Sequence, residues 1–356
     1  MTVPHAPARR SRGSLRIAAV GAALAAVAAL LTGCGAAAAP AAERNATYTT
    51  TATDTFPVTV THQFGETVIP SEPQRVVVVG ITEQDILLEL GVPPIATTEW
   101  YGEQPYAVWP WATDLLHGAE PTVLQTGDGF EFEKIASLSP DLIVGTNAGM
   151  SQEDYTKLSA IAPTITNDDP SRPYFTSWQD QTRLVAQAVG RSAAGEELID
   201  GVEKAYTAAR EAHPEFAGLT ANFSQGGPYD GNIYVYPDGL NTDFLTDLGF
   251  VITPGLEKYA AQPGQQALIS GENMSLIDAD VLVFATEKSE DVATLLQFGT
   301  TSSLRAVSGG HTVYTDGELA GAIYFLTPLS QKYVLEKLLP RLEKAVAGTS
   351  PQTVEG

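Results

Sequence analysis

The chain has 356 residues, 20 Lys and Arg against 42 Asp and Glu, a formal net charge of −22, one cysteine and 44% hydrophobic residues. That apolar content is enough to build cores and excludes a wholly disordered chain, and the shortage of Lys and Arg excludes a protein whose affinity comes from nucleic-acid phosphates. One cysteine excludes an intramolecular disulfide and a thiolate metal cluster, and the length accommodates two domains or one large two-lobed unit.

Residues 1–33 have the order of a lipoprotein signal peptide. Arg9, Arg10, Arg12 and Arg16 make a positive start, and Ile17 to Leu31 is an apolar run shorter than the ~20 residues of a comfortable membrane span. The run ends in Leu31-Thr32-Gly33-Cys34, which resembles a bacterial lipobox, so the chain's single cysteine occupies the position that lipidation requires. The Arg9-Arg10 pair leaves the export route open between the general secretory and twin-arginine systems. Residues 34–55, rich in Ala and Thr and without a core pattern, are expected to form a flexible tether. Together these segments place the rest of the chain at the outer face of a bacterial cytoplasmic membrane, anchored by lipid on Cys34. Loss of residues 1–33 removes four arginines and no acid, leaving a charge of −26.

Residues 56–173 predict an N-terminal α/β lobe. A strand at Val76–Val79 precedes a helix from Asp85 to Leu90, with Gly91 in the position a C-cap wants. A short helix from Glu133 to Leu138 then leads through Asp141 into a buried strand at Leu142–Val144. Residues 214–347 repeat this order: a strand at Ile233–Tyr236, a helix from Asp243 to Leu248 ended by Gly249, then Glu272 to Ile277, Asp280 and the run Val281-Leu282-Val283. Two matches in the same order predict two related α/β lobes. Residues 174–213 between them predict a linking helix, interrupted at Gly190 and stopped by Pro214. Residues 348–356 are expected to be a loose tail.

The first lobe carries a longer connection around Thr97–Gln125, with Trp100, Tyr101, Tyr106, Trp109, Trp111 and His117. It holds three of the chain's four tryptophans. Loops at the C-terminal edges of parallel strands are where such sheets bind ligands, which makes Trp100 and Tyr101 candidates. The same residues also fit a small aromatic core that pins the loop down.

An ordered set of segments carries a resemblance. It comprises Pro73-Gln74-Arg75-Val76-Val77-Val78-Val79, then Asp85 through Leu90-Gly91-Val92-Pro93-Pro94-Ile95, Phe132 to Val144, Tyr155 to Thr164, and Thr327-Pro328-Leu329-Ser330 with Leu335-Glu336-Lys337-Leu338. From about Phe56 to Ala347 the chain resembles the substrate-binding lipoproteins of ABC importers for iron–siderophore complexes, cobalamin and haem. The resemblance implies an α/β fold of two doubly wound three-layer lobes joined by a single long helix, with a ligand cleft between them and modest hinge closure. It implies a monomer with no cofactor and no catalysis, whose partners are a small iron chelate and the permease subunits of an ABC importer. It also gives Glu133 and Glu272 a docking role, one on each lobe, toward arginines of the permease. The same two residues fit plain helix N-terminal acids that complement the macrodipole.

In an iron(III)–siderophore complex the chelator already fills the metal's coordination sphere. The cleft then needs aromatic faces and a few donors. Candidates at the strand ends are Thr82, Glu83, Trp100, Tyr101 and Asn147 in the first lobe, and Tyr236, Asp238, Thr286 and Tyr324 in the second. Arg172 and Arg305 are the plausible cleft cations; so few favour a neutral or cationic ferric hydroxamate over a polyanionic catecholate. Haem or cobalamin is the alternative ligand within the same family. A direct Zn or Mn site would need clustered His with a carboxylate, and His62, His117, His213 and His311 show no short ligand spacing. No Gly-x-Ser-x-Gly elbow, Walker A or His-Glu-x-x-His motif points to an enzyme.

Overall fold

The computed structural model describes residues 52–354 apart from positions 128, 173, 175 and 263. The expected signal peptide, Cys34 and most of the tether lie outside the described residues. The last tether residues are already bound: the amides of Thr53 and Asp54 donate to the Gly190 carbonyl at 2.9 and 3.0 Å. The Asp54 carboxylate accepts from the amide and hydroxyl of Ser192 at 3.1 and 2.6 Å. Residues 52–55 therefore belong to the fold rather than to a tether running to 55.

The first lobe opens with an antiparallel hairpin, β1 (Val58–His62) and β2 (Gly65–Ile69). Five parallel strands follow: β3 (Val76–Val78), β4 (Ala96–Thr98), β5 (Thr122–Leu124), β6 (Leu142–Gly145) and β7 (Thr164–Thr166). They lie in the order β5-β4-β3-β6-β7, so the chain switches direction across the sheet between β3 and β6. The valine run is buried on both sides. Val76 and Val78 pack with Leu142, Val144, Leu184 and Val185 on one face, and Val77 and Val79 with Ile135, Ile143 and Leu158 on the other. A strand covered by helices on both faces has no polar side, which is why it reads as a continuous apolar run.

The second lobe holds β8 (Thr220–Gln225), β9 (Asn232–Tyr236), β10 (Val251–Ile252), β11 (Ala267–Ser270), β12 (Val281–Ala285) and β13 (Thr312–Tyr314). The order is β11-β9-β8-β12-β13, with β10 also paired to β8. Here too alternate residues divide between faces: Val281 and Val283 join one core, Leu282 and Phe284 the other. The two-lobed α/β architecture is the expected one, but the repeat is inexact. β8 pairs in parallel with β12 and β10, so it occupies the place that β3 has beside β6 and β4. Ile233–Tyr236 is instead an antiparallel addition, paired to β8 and β11. The two helices expected to end at glycine do so, Gly91 at φ +73° and Gly249 at φ +102°, values a residue with a Cβ rarely adopts.

The link between lobes is two helices, Trp178–Ala188 and Ser192–Ala212, rather than one continuous rod. The chain turns at Gly190, and the second helix spans ~31 Å at ~1.5 Å per residue. Its Leu198 packs in the first lobe, and its Ile199, Val202, Tyr206 and Ala209 pack in the second, so one helix ties both cores. As far as residue 354 the tail is docked, not loose. The Ser350 amide donates to the Gly310 carbonyl at 3.2 Å, Gln352 Nε2 donates to the Val307 carbonyl at 3.0 Å, and Val354 packs on the second-lobe core. Among the described residues no helix is long and apolar enough to cross a membrane.

A direct seam also joins the lobes. Asp85, fully buried in the helix Glu83–Glu89, accepts at one carboxylate oxygen from Trp111 Nε1 and from Thr327 Oγ1, both at 2.8 Å. Thr327 caps the C-terminal helix Pro328–Val346. One turn on, Lys332 Nζ lies 2.6 Å from the buried Glu89 carboxylate. Trp109 stacks on Trp111 at 4.9 Å and 10° and presses its ring against Gly321 of the helix Gly317–Phe325, where any Cβ would overlap the ring. Burial raises the Asp85 carboxyl from 3.8 to about 7, against the opposing pull of its two hydrogen bonds. The fold thus holds a proton that the unfolded chain releases above about pH 4, and that contribution to stability is lost as pH climbs through about 7. Asp85→Asn keeps an acceptor for both donors without the charge. It is expected to raise the melting temperature more at about pH 8 than at about pH 5; thermal scans showing a pH-independent change would mean that Asp85 does not titrate in the fold.

Candidate ligand cleft

A cavity of about 930 Å³ opens between the lobes. Its second-lobe wall is largely the antiparallel addition. Along β9, Ile233 and Val235 face the core while Tyr234 and Tyr236 point the other way into the cavity, with Leu268 of β11 and the preceding Gln265 and Gln266 beside them. The floor is the C-terminal ends of β8 and β12, where Gln225, Gly226 and Ala285 line the space. Glu287, Lys288 and Asp291 follow at the start of the helix Ser289–Gln297, and Tyr324 enters from the helix Gly317–Phe325. The first lobe contributes Trp100 and Tyr101, from the connection after β4. A smaller pocket of about 220 Å³ lies at the strand ends of the first lobe, lined by Thr98, Leu124, Phe130 and Tyr174 among others.

The cavity is aromatic and rich in hydrogen-bonding groups. Tyr236 stacks on Phe223 at 4.6 Å, and Tyr101 meets Tyr324 edge-on at 5.8 Å. The Tyr101 hydroxyl donates across the cleft to Glu287 Oε1 at 2.6 Å. Burial pushes the phenols of Tyr101, Tyr236 and Tyr324 above their ordinary range. The negative charge of Glu287 pushes Tyr101 and Tyr324 further, with Asp291 adding to Tyr101. These phenols are therefore neutral donors, not phenolates. Asn241, at the wall with φ +54°, holds a buried Oδ1 without a hydrogen-bond partner among the described residues.

Of the expected ligand residues, Trp100, Tyr101, Tyr236 and Tyr324 come together here. Thr82, Asn147 and Thr286 do not line the cavity. The amides of Thr82 and Asn147 donate to the fully buried Glu83 carboxylate at 3.0 and 2.6 Å, and Asn147 Nδ2 donates to Thr82 Oγ1 at 3.1 Å. The space at the C-terminal ends of β3 and β6 is thereby filled by Glu83, whose carboxyl burial raises while these hydrogen bonds lower it. Thr286 and Thr315 each donate a hydroxyl to the other's carbonyl at 2.7 Å, locking the ends of β12 and β13. Asp238 and Arg172 are exposed and off the wall. Arg305 lies at the opposite edge of the sheet, beside Asp278 and Asp280. Trp109 and Trp111 belong to the seam.

Gln225, Tyr234, Asn241, Gln265, Gln266, Glu287 and Asp291 line the cavity without having been expected. The period-two alternation of Ile233, Tyr234, Val235 and Tyr236 was the available signal for Tyr234. Glu133 and Glu272 are exposed. Each stands in the first turn of a helix, Phe132–Ser137 and the 3₁₀ helix Gly271–Ile277, that runs back from the cleft side into β6 or β12. Among the described residues neither makes an ion pair. The histidines are scattered: His62 bonds to Thr67, His213 to Glu215 and His311 to the Ala345 carbonyl, and His117 is exposed in a turn. Among the described residues no three His, Cys, Asp or Glu side chains gather as a metal-binding group.

Two α/β lobes tied by a crossing helix and a buried seam, around one aromatic cavity, define a bilobal ligand-binding protein. The chain belongs to the periplasmic binding protein family, whose pattern it matches over residues 76–319. Its fold superposes on a periplasmic solute binding protein from Mycobacterium smegmatis with a TM-score of 0.76 and 42% identity, over 81% of this chain and 98% of that one. PiaA of Streptococcus pneumoniae, solved in complex with ferrichrome, matches with a TM-score of 0.69 and 26% identity, over 82% and 99% of the two chains. The probable siderophore-binding lipoprotein YfiY of Bacillus subtilis is 28% identical over 298 residues, 78% of this chain and 88% of that protein. The family is one of binding proteins, not enzymes.

Trp100 is 37% exposed at the cavity edge, whereas Trp109 and Trp178 are buried. Acrylamide should therefore quench mainly Trp100, and Trp100→Phe should flatten the Stern–Volmer slope. An unchanged slope would place the accessible indole elsewhere.

Proposed function

We propose that the protein is a lipid-anchored, extracytoplasmic substrate-binding protein that captures a ferric siderophore, a hydroxamate, and delivers it to an ABC importer permease. The observation that carries this reading is the cavity. Its volume suits a bulky small molecule, and it offers tyrosine and tryptophan faces together with neutral phenol and amide groups. Phenols held protonated suit hydrogen bonds to chelator oxygens better than direct ligation of bare iron. Two carboxylates against one lysine on the wall disfavour a polyanionic tris-catecholate. The ferrichrome complex of PiaA and the siderophore-binding name of YfiY support the same ligand class. Cys34 in its lipobox, with a relative named a lipoprotein, supports anchoring.

The test is tryptophan-fluorescence titration against ferric hydroxamates, ferric catecholates, haem and cobalamin. Ferric hydroxamates are expected to quench with the tightest affinity. Quenching by haem or cobalamin alone, or by nothing, would refute the siderophore reading.

Glu133 and Glu272, exposed on the cleft side of each lobe, are the proposed contacts to permease arginines. Reversing both charges should abolish chelate uptake by cells while leaving the affinity of the purified protein unchanged. Normal uptake by the double variant would remove the docking role.

A further inference from the structure

We propose that the chelate this cavity selects carries a cationic group, an ammonium on an otherwise neutral iron complex, and that Glu287 is its counter-ion. The inference rests on reading the cavity as a ferric-siderophore site and specifies the charge of the ligand.

Three charged side chains line the cavity, Glu287, Asp291 and Lys288, leaving one negative charge in excess. Asp291 is committed to its own helix, accepting the amides of Glu287 and Lys288 at 3.0 and 3.1 Å. Glu287 is exposed at the mouth, and among the described residues no Lys or Arg pairs with it. Its side-chain partner is a neutral one, the Tyr101 hydroxyl reaching over from the other lobe. A neutral phenol is a weaker partner for a carboxylate than an ammonium, whose bond is charge-assisted at both ends. An arriving ammonium can therefore take the place of the phenol. The ring faces of Trp100 and Tyr101, 5.9 Å apart beside that carboxylate, add a surface that attracts cations. The same excess charge opposes a polyanion at short range, so one residue supplies both the attraction and the discrimination.

The test uses two ferric trihydroxamates that differ only in charge: ferrioxamine B, with one pendant ammonium, and its N-acetylated, neutral form. The intact protein is expected to bind the ammonium form about tenfold more tightly, the scale of one charge-assisted hydrogen bond in a partly solvated site. Glu287→Gln should bring the ratio to about one by weakening the ammonium form alone. Tyr101→Phe, which removes the competing donor, should keep or enlarge the preference. Equal affinity of the intact protein for the two chelates, or a preference that survives Glu287→Gln, would overturn the inference while leaving the siderophore reading standing. Binding of neither chelate, nor of any other ferric siderophore, would overturn both.

Discussion

The cleft exists because the lobes are held at one separation, and the contact that holds them is centred on a carboxylate that water does not reach. Asp85 offers one oxygen to Trp111 from its own lobe and Thr327 from the other, and its second oxygen has no hydrogen-bond partner among the described residues. Burying such a group is costly, and the raised carboxyl records that cost. What it supplies is geometry. Two donors from different lobes meet at one oxygen only when the helix Glu83–Glu89 and the start of Pro328–Val346 stand in this relation. The stacked tryptophans then fill the space beside them, where Gly321 leaves room for a ring. A directional polar contact sets the register, and apolar burial supplies most of the attraction.

Given that register, the cavity follows from a difference between the lobes. In each lobe a ligand would meet the C-terminal ends of the central parallel strands, which is where a doubly wound sheet offers a crevice. In the first lobe Glu83 fills the crevice and satisfies the amides around it. In the second, Gly226 lies against the Ala285–Thr286 backbone, and the crevice opens into the cavity. The hairpin-like β9 and β11 pair then extends the open side with a wall of tyrosines and glutamines. The binding surface is therefore unequal, with most of it on one lobe and Trp100 and Tyr101 as the first lobe's contribution.

The parts legible in the sequence were those governed by local rules. A valine run that both faces bury, a glycine where a helix must end, and a helix-then-strand pattern recurring in order need no knowledge of distant neighbours. The break at Gly190 was visible, but not that it lets the first linking helix fold back while the second crosses between cores. Ligand candidates chosen by strand-end position split by side-chain commitment: the four aromatics reach the cavity, whereas Thr82 and Asn147 bond to each other around Glu83 and Thr286 donates to the Thr315 carbonyl. That outcome turns on Glu83 folding back beneath Gly80, a contact with no spacing signature. Assigning Ile233–Tyr236 the place of a parallel core strand hid Tyr234 and the β11 residues, because antiparallel pairing with a strand 30 residues later leaves no local trace beyond alternation.

Net charge is a separate matter from charge at the site. A chain at −22 repels anions at long range, but in physiological salt that field decays over a Debye length of ~8 Å. A ligand inside the cleft therefore responds to the few groups that touch it. Those groups are two carboxylates and one ammonium, set among phenols that burial holds above their ordinary range, with Glu287 pushing Tyr101 and Tyr324 the same way. Tyr101 connects this local balance to the seam, since its ring stacks on Trp109 at 5.6 Å while its hydroxyl holds Glu287. The Tyr101–Glu287 hydrogen bond lies on the cavity wall, whereas Trp109, Gly321 and Asp85 do not line the cavity. The residues a ligand can meet and the residues that set the contact between the lobes are therefore different, and Tyr101 joins the two sets.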